Sequence, residues 1–241
     1  MRKEIIAIIP ARSGSKGVKN KNILKIKSKT LIEISVLQAK KIKLIDEIII
    51  SSDSEEYVNY GRLAGANSLG LRPSELSNDK TKTIEVLKYL LKSLPDAETI
   101  LLLQPTAPIR STHEIEKALK ICTKEKKCVI SISELDEPNP YKLKTLNQQN
   151  IITPFINDDK YNSETPRQLL PKTFRLTGGF YCLNVEQMLK FDSVIPKGSI
   201  GYPTKMYPNI DTKNDFDYIN WLIDTNKNLP SDFLEILSNL K

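Results

Sequence analysis

Two hydrophobic rhythms alternate along the first half of this chain. Short, nearly continuous apolar runs rich in Ile and Leu recur: "EIIAIIP" at 4–10, "DEIIISS" at 46–52, "ETILLLQP" at 98–105 and "KCVISISEL" at 127–135. Each is too short for a core helix and is bounded by Pro, Ser or charge, so each reads as a strand buried on both faces. Between them lie stretches with helical spacing: "TLIEISVLQAKKIK" at 30–43, "SEEYVNYGRLAGA" at 54–66, "TKTIEVLKYLLKSLP" at 81–95 and "STHEIEKALKICTKE" at 111–125. In the third of these, Ile84, Leu87, Leu91 and Leu94 share one helical face and Pro95 closes it. Buried strands separated by amphipathic helices predict an α/β fold with a mostly parallel sheet covered on both faces.

The rhythm breaks at 136–175. This stretch is polar and Pro-bearing, with strand-like pieces "YKLKTL" and "NIITPFI" and no helical pattern. It predicts a small β-rich arm inserted in a single domain spanning 1–241, and an arm too polar to build its own core packs on a partner chain or stands as a surface insertion. The sheet resumes at "GGFYCLN", 178–184, and two amphipathic helices follow, "TKNDFDYINWLIDTN" and "LPSDFLEILSNL".

Composition narrows the class. With 241 residues, 39% hydrophobic and 27% charged, the chain is long enough for one well-buried domain of ordinary globular composition. No apolar run is long enough for a membrane helix, and the N-terminal apolar stretch is short and carries Glu4, unlike a signal peptide. A cytoplasmic protein without membrane partners is expected. The formal charge is +7, but the lysines are scattered and no basic block with interleaved aromatics occurs, so a Lys-rich solvated surface is preferred over a nucleic-acid interface. Cys122, Cys128 and Cys182 form no CxxC, and the single histidine, His113, falls at a helix start, which disfavours a zinc site or a Ser-His-Asp triad.

The segment "IIPARSGSKGVKNKN", 8–22, carries the most chemistry. It follows the first strand, where ligands bind in open α/β sheets. Gly14 and Gly17 allow close backbone approach, Ser13 and Ser15 offer hydroxyls, and Arg12, Lys16, Lys19 and Lys21 supply positive charge. It fits neither GxxxxGK[ST] nor GxGxxG. A phosphate cradle of another type, or a solvated turn, remains.

"PARSGSKGVKNKN" resembles the signature loop of the acylneuraminate cytidylyltransferases, the CMP-sialic acid synthetase family, which includes legionaminic-acid-type members. "SSDSEE", "LRPSELSNDKTKT", "LLQPTAPIRS", "SETPRQLLPKTFRLTGGFY" and "NIDTKNDFD" agree in order and spacing, from Ile5 to about Asp217. The resemblance implies a Rossmann-like nucleotidyltransferase fold with a dimerisation arm at 136–175. It also implies transfer of CMP from CTP to a nonulosonic, sialic-acid-like sugar with release of pyrophosphate. Carried over residue by residue, Arg12, Ser15, Lys16, Lys21 and Asn22 would line the CTP site. Lys16 and Lys21, with Arg12, would stabilise the leaving pyrophosphate, and Arg72, Asn78 or Asp79, and Thr83 would contact the cytidine. Gln104 would face the sugar. Lys142, Arg167 and Gln168 would reach it from the arm of a homodimer, and Tyr181, like Phe180, would either line the pocket or pack in the core.

The family's acidic metal pair stands here as Asn209-Ile210-Asp211. Positions i and i+2 of an extended segment face one way, so Asp211 and Asn209 together are the candidate Mg²⁺ ligands, with Asp215 in reserve. The general base is left open. Kdo-type cytidylyltransferases and, further off, nucleotide-sugar glycosyltransferases are the rival readings.

Overall fold

The computed structural model describes residues 4–14, 17–135 and 137–238. In chain order its elements are β1 (Ile5–Pro10), β2 (Lys25–Ile26), β3 (Lys29–Thr30), α1 (Leu31–Lys40), β4 (Glu47–Ser51), α2 (Glu55–Ala64), α3 (Thr83–Leu91) and β5 (Thr99–Leu102). They continue with α4 (Thr112–Glu125), β6 (Val129–Glu134), β7 (Lys144–Leu146), β8 (Ile152–Pro154), β9 (Phe174–Asn184), α5 (Val185–Lys190), β10 (Ile200–Pro203), α6 (Lys213–Asp224) and α7 (Ser231–Ser238). Six strands form one sheet in the order β10-β6-β9-β5-β1-β4. The pairs β1–β4, β1–β5 and β6–β10 are parallel, while β9 runs antiparallel to both β5 and β6.

The continuous apolar runs are explained by what lies on each face. On one face Ala7, Ile9, Leu101 and Leu103 meet Ile32 and Val36 of α1, Tyr57 and Val58 of α2, and Ile115 and Leu119 of α4. On the other, Ile6, Ile8, Ile100 and Leu102 meet Ile84, Leu87 and Leu90 of α3 and Met188 of α5. Alternate residues of one strand therefore enter different apolar layers, and the few polar side chains within the strands, such as Thr99 and Ser131, are themselves buried. A third cluster joins Leu31 and Ile34 of α1 to Ile219 and Ile223 of α6 and Phe233 of α7, with Ile210 among them. Helix α1 begins where a capping box satisfies its first turn, Thr30 accepting from Glu33 N and Glu33 accepting from Thr30 N.

Cys122, Cys128 and Cys182 lie in these layers as free, buried thiols. Burial pushes Cys122 up to about 12 and Cys128 to about 11, and raises Cys182 as well.

Helix α2 packs unusually close to the sheet at Gly61. A Cβ there would stand 2.7 Å from Ile50 Cβ, with both Ile50 γ-carbons inside 3 Å. Alanine gains about 1 kcal/mol of helix propensity over glycine, but overpacking against a β-branched side chain costs about 1–3 kcal/mol. Gly61→Ala is expected to destabilise the chain by about 1 kcal/mol and lower Tm by about 2–4 °C; a raised Tm in thermal unfolding would show that α2 can move off the sheet freely.

Two features depart from the sequence pattern. Helix α3 ends at Leu91, not at Pro95, because proline disfavours helical geometry in the residue before it and the chain closes with turns at Ser93 and Leu94. Strand β10 is only four residues long and carries Gly201 and Pro203, so the alternation of Ile200 and Tyr202 toward the core is too short to mark it as a strand. It completes the sheet as an edge strand, where proline is tolerated, and Gly201 leaves room for Ile132. Within 136–175 the described elements are the β7–β8 hairpin and two short 3-10 turns, with β9 beginning at Phe174.

Candidate active site

The parallel arrangement of β1, β4 and β5 sends the loops after all three strands to the same edge of the sheet. Hydrogen bonds extend the ladder past the strand ends: Ala11 N to Ser51 O at 2.9 Å and Leu103 N to Ile8 O at 3.0 Å. Two further segments are tied to these loops. Arg72 N donates to Ser52 O at 2.8 Å, and Ile210 N donates to Thr106 O at 2.8 Å. The result is a cleft of about 390 Å³, whose lining includes Arg12, Lys21 and Asn22 from the first loop, and Arg72, Asn78, Asp79 and Thr83 from 71–83. Gln104 closes one wall, and Asn209 and Asp211 another. Residues as far apart in the chain as Pro10 and Asp211 thus meet, because the loops after β1, β4 and β5 share one edge of the sheet and Ile210 is bonded to Thr106.

The cleft is basic, but its cations are engaged. Arg12 Nη2 meets Asp79 Oδ1 at 2.6 Å, and Lys21 Nζ meets Asp211 Oδ1 at 3.0 Å and Ile210 O at 3.2 Å. Solvent reaches both pairs, and exposed pairs of this kind are worth about 0–1 kcal/mol. They are easily exchanged for a more highly charged ligand. Arg72 is different. Its side chain is buried, its Nε donates to Ser77 Oγ at 3.0 Å, and its guanidinium stands 3.9 Å from Asp53. Burial lowers its pKa, Asp53 opposes that, and the charge of Arg12 adds to the lowering. Helix α3 opens with Thr83 on the cleft, so the positive end of its dipole also faces the space.

Two residues of the architecture carry no signal in the residue patterns beyond their place after a strand. Asp53, in "SSDSEE", accepts from Ser13 N at 2.8 Å and from Ser13 Oγ at 2.7 Å, so it fixes the start of the first loop. Burial raises its pKa, but the bonds from Ser13, its own backbone and the charge of Arg72 outweigh this and leave it lowered. Asn22 braces the same loop, its Nδ2 donating to Arg12 O at 3.0 Å. The other is Arg110, treated below.

Gly17 shows why this loop needs a residue without a side chain: a Cβ there would lie 2.5 Å from Asp211 O. Asn209 Oδ1 is buried and, among the described residues, has no hydrogen-bond partner, an oxygen free for a donor or a cation in the cleft that Asp211 also lines. Asp215 is occupied elsewhere, capping α6 by accepting from Thr212 N at 2.7 Å and from Asp211 N at 3.1 Å.

The structure thus gathers Arg12, Lys21, Asn22, Arg72, Thr83, Gln104, Asn209 and Asp211 around one space. Ser15 and Lys16 lie outside the described residues. Four expected sugar contacts are not among the cleft lining. Lys142 Nζ donates to Ser163 O and Thr165 O, both at 2.9 Å, inside the arm. Arg167 meets Glu137 at 3.2 Å and Gln168 is exposed in a 3-10 turn. Tyr181 pairs across strands with Leu102 and Ile130 and packs against the apolar layer of α3. Phe180 is buried in the opposite layer.

Comparison with known proteins gives the family. The family described as "Cytidylyltransferase" matches residues 6–175. An N-acylneuraminate cytidylyltransferase of Escherichia coli O18:K1:H7 is 34% identical over 90% of the chain, which spans about half (51%) of that relative's length. The CMP-N,N'-diacetyllegionaminic acid synthase of Campylobacter jejuni is 32% identical over 95% of the chain and 99% of its own length. Among solved structures, a CMP:2-keto-3-deoxy-manno-octonic acid synthetase complexed with CTP superposes with a TM-score of 0.68 over 92% of this chain and 99% of its own. At 15% identity that likeness shows the shared α/β fold alone. A cleft lined by Arg12, Lys21 and Arg72 at the carboxyl edge of the sheet and a family match over most of the chain lead to one assignment: this chain belongs to the cytidylyltransferase family.

Proposed function

We propose that this protein transfers CMP from CTP to a nonulosonic, sialic-acid-like sugar and releases pyrophosphate. The carrying observation is the single cleft that joins Arg12, Lys21 and Arg72 to Gln104 and to the Asn209–Asp211 segment. A triphosphate brings several negative charges, and three cations within one small cleft match it. In this reading Arg12 leaves Asp79 for the phosphates and Lys21, still held by Ile210 O and Asp211, turns its third N–H to them, together with Lys16 and Ser15 of the same loop. Arg72, Asn22 and Thr83 hold the cytidine end. The sugar hydroxyl attacks the α-phosphorus, the bond to the β-phosphate oxygen breaks, and Lys21 receives the charge that gathers on pyrophosphate. His113 lines a different cavity at the start of α4, so no imidazole base is assigned; orientation and charge placement carry the step.

Mg²⁺ fits the residues present, because the orphaned Asn209 Oδ1 and the exposed Asp211 carboxylate are oxygen donors on one segment of the cleft wall. Bound there, the ion would neutralise phosphate charge and polarise the α-phosphoryl group. One carboxylate and one amide hold it less tightly than two carboxylates. Asn209→Asp is therefore expected to lower the Mg²⁺ concentration giving half-maximal activity several-fold, and an unchanged or higher requirement would remove Asn209 from the metal site.

The same reading makes the protein a homodimer. Leu146, Ile152, Phe155 and Leu169 of the arm stand more than half exposed in the single chain, a density of apolar side chains that suits a covered surface. Lys142, Arg167 and Gln168 then reach the sugar pocket from the arm of the second copy, while Tyr181 stays in the core of its own sheet. Three free thiols suit the reducing cytoplasm.

The test is pyrophosphate release by the purified protein with CTP, Mg²⁺ and a panel of nonulosonic acids, with ATP, GTP and UTP alongside. Release with CTP and one such acid is expected. Release with Kdo alone would assign the protein to the Kdo-type reaction instead, and CTP binding without release with any acid would overturn the substrate class.

A further inference from the structure

Arg110 ends the turn that begins at Gln104 and stands immediately before the cap of α4. It is 3% exposed. Among the described residues its hydrogen-bond partners are all neutral: Gly179 O from Nε at 2.5 Å, Gln38 Oε1 from Nη1 at 2.6 Å, Ser35 Oγ from Nη1 at 3.3 Å, and Gln104 O from Nη2. Burial lowers its pKa to about 9, and it keeps its proton at neutral pH. A buried guanidinium without a counter-charge is unfavourable, and an apolar side chain of similar volume would fill the space at lower cost. An apolar side chain could not, however, hold two carbonyls from different elements in a fixed geometry. A planar fork of donors can.

One carbonyl belongs to the cleft wall, and the other to the bend of β9 that lies against Asn209 of the same cleft. Gln104 lines it directly. Gly179 follows Gly178, where β9 shifts register against β6 and φ is +70°, and a Cβ on Gly178 would stand 3.0 Å from Asn209 Nδ2. Gln38, the other strong acceptor, also donates through Nε2 to Pro108 O at 2.8 Å, so it grips the same turn from α1.

We propose that Arg110 is a positioning residue for CMP transfer: its buried guanidinium fixes the Gln104 turn against the Gly178–Gly179 bend, and so sets where the sugar stands relative to the CTP phosphates. This rests on the function proposed above. Arg110 touches neither substrate, and the groups that hold the nucleotide, Arg12, Asn22, Arg72 and Thr83, are seated independently of it. Its effect should therefore fall on the sugar side of the reaction.

The experiment compares wild type, Arg110→Lys, Gln104→Ala and the double variant, reading kcat and KM for each substrate and folded content by circular dichroism. A lysine keeps the charge but cannot reach all four acceptors. Because a misplacement of about 1 Å can cost about 10²-fold, Arg110→Lys is expected to lower kcat/KM for the sugar by about tenfold or more while KM for CTP stays within about twofold. In the Gln104→Ala background the Arg110→Lys effect should shrink, since both changes act through one wall. Where Arg110→Lys does not fold, Gln38→Met, which removes one acceptor and leaves the guanidinium, carries the same comparison. Equal losses for CTP and sugar, losses that only follow folded content, or an undiminished effect in the Gln104→Ala background would overturn the inference. An inactive wild type would instead overturn the proposed reaction, and the inference with it.

Discussion

Replacing Lys21 with alanine is expected to lower kcat/KM for CTP by about 10²–10³-fold, the usual loss when one preorganised charge is taken from a developing anion. The side chain is only partly exposed and is held at two points, Ile210 O and Asp211 Oδ1, so its ammonium is aimed before any ligand arrives. Its backbone stands in a 3-10 turn whose buried member is the neighbouring Asn22, not Lys21 itself. Truncation should therefore leave folding intact and confine the loss to chemistry and CTP binding. Arginine should recover only part of the rate, because a planar fork cannot occupy the position of a compact ammonium between a carbonyl and a carboxylate. A kcat/KM within about threefold of wild type, against the 10²–10³ expected, would remove Lys21 from the transition state.

The second large effect belongs to Asp211. Asp211→Ala should cut kcat by about 10²–10³-fold, and EDTA added to the wild type should produce a comparable loss. On the proposed reading two roles end together in this variant: the cation loses its carboxylate, and Lys21 loses the partner that aims it. The Lys21→Ala/Asp211→Ala double variant should consequently be much less impaired than the product of the single losses, since the two groups are in contact. If kcat in Asp211→Ala keeps the wild-type dependence on Mg²⁺, the ion is bound elsewhere in the cleft.

How far the sequence disclosed this arrangement depended on the kind of signal each residue emits. The buried strands were legible because both of their faces enter apolar layers, which leaves runs such as 100–103 without a polar interruption. Strand β10 was not, since an edge position imposes no such demand and Gly201 answers to a contact with Ile132 that no local pattern contains. Arg12 and Lys21 stood out because charge and glycine cluster in one loop, and Asn22 was named by resemblance. Asn209 and Asp211 were found by resemblance, as nothing local marks them as cleft residues until Ile210 is seen bonded to Thr106. Asp53 and Arg110 lay inside quoted stretches yet went unassigned. Their work is to hold backbone atoms of other loops, and a residue's tertiary partners leave no period in its own neighbourhood. Lys142 and Arg167 show the opposite case, where the motif is plain and the single chain satisfies both side chains within the arm.

The buried thiols give the folded chain an intrinsic clock. All three cysteines of the sequence are inaccessible, and burial holds them far from the thiolate form that attacks disulfide reagents. They also lie in the packed layers between sheet and helices, away from the cleft. Labelling by a coloured disulfide in native buffer must then wait for the sheet to open, so its rate reads out the opening equilibrium directly. Substrates that close the cleft should slow that labelling without touching a single sulfur.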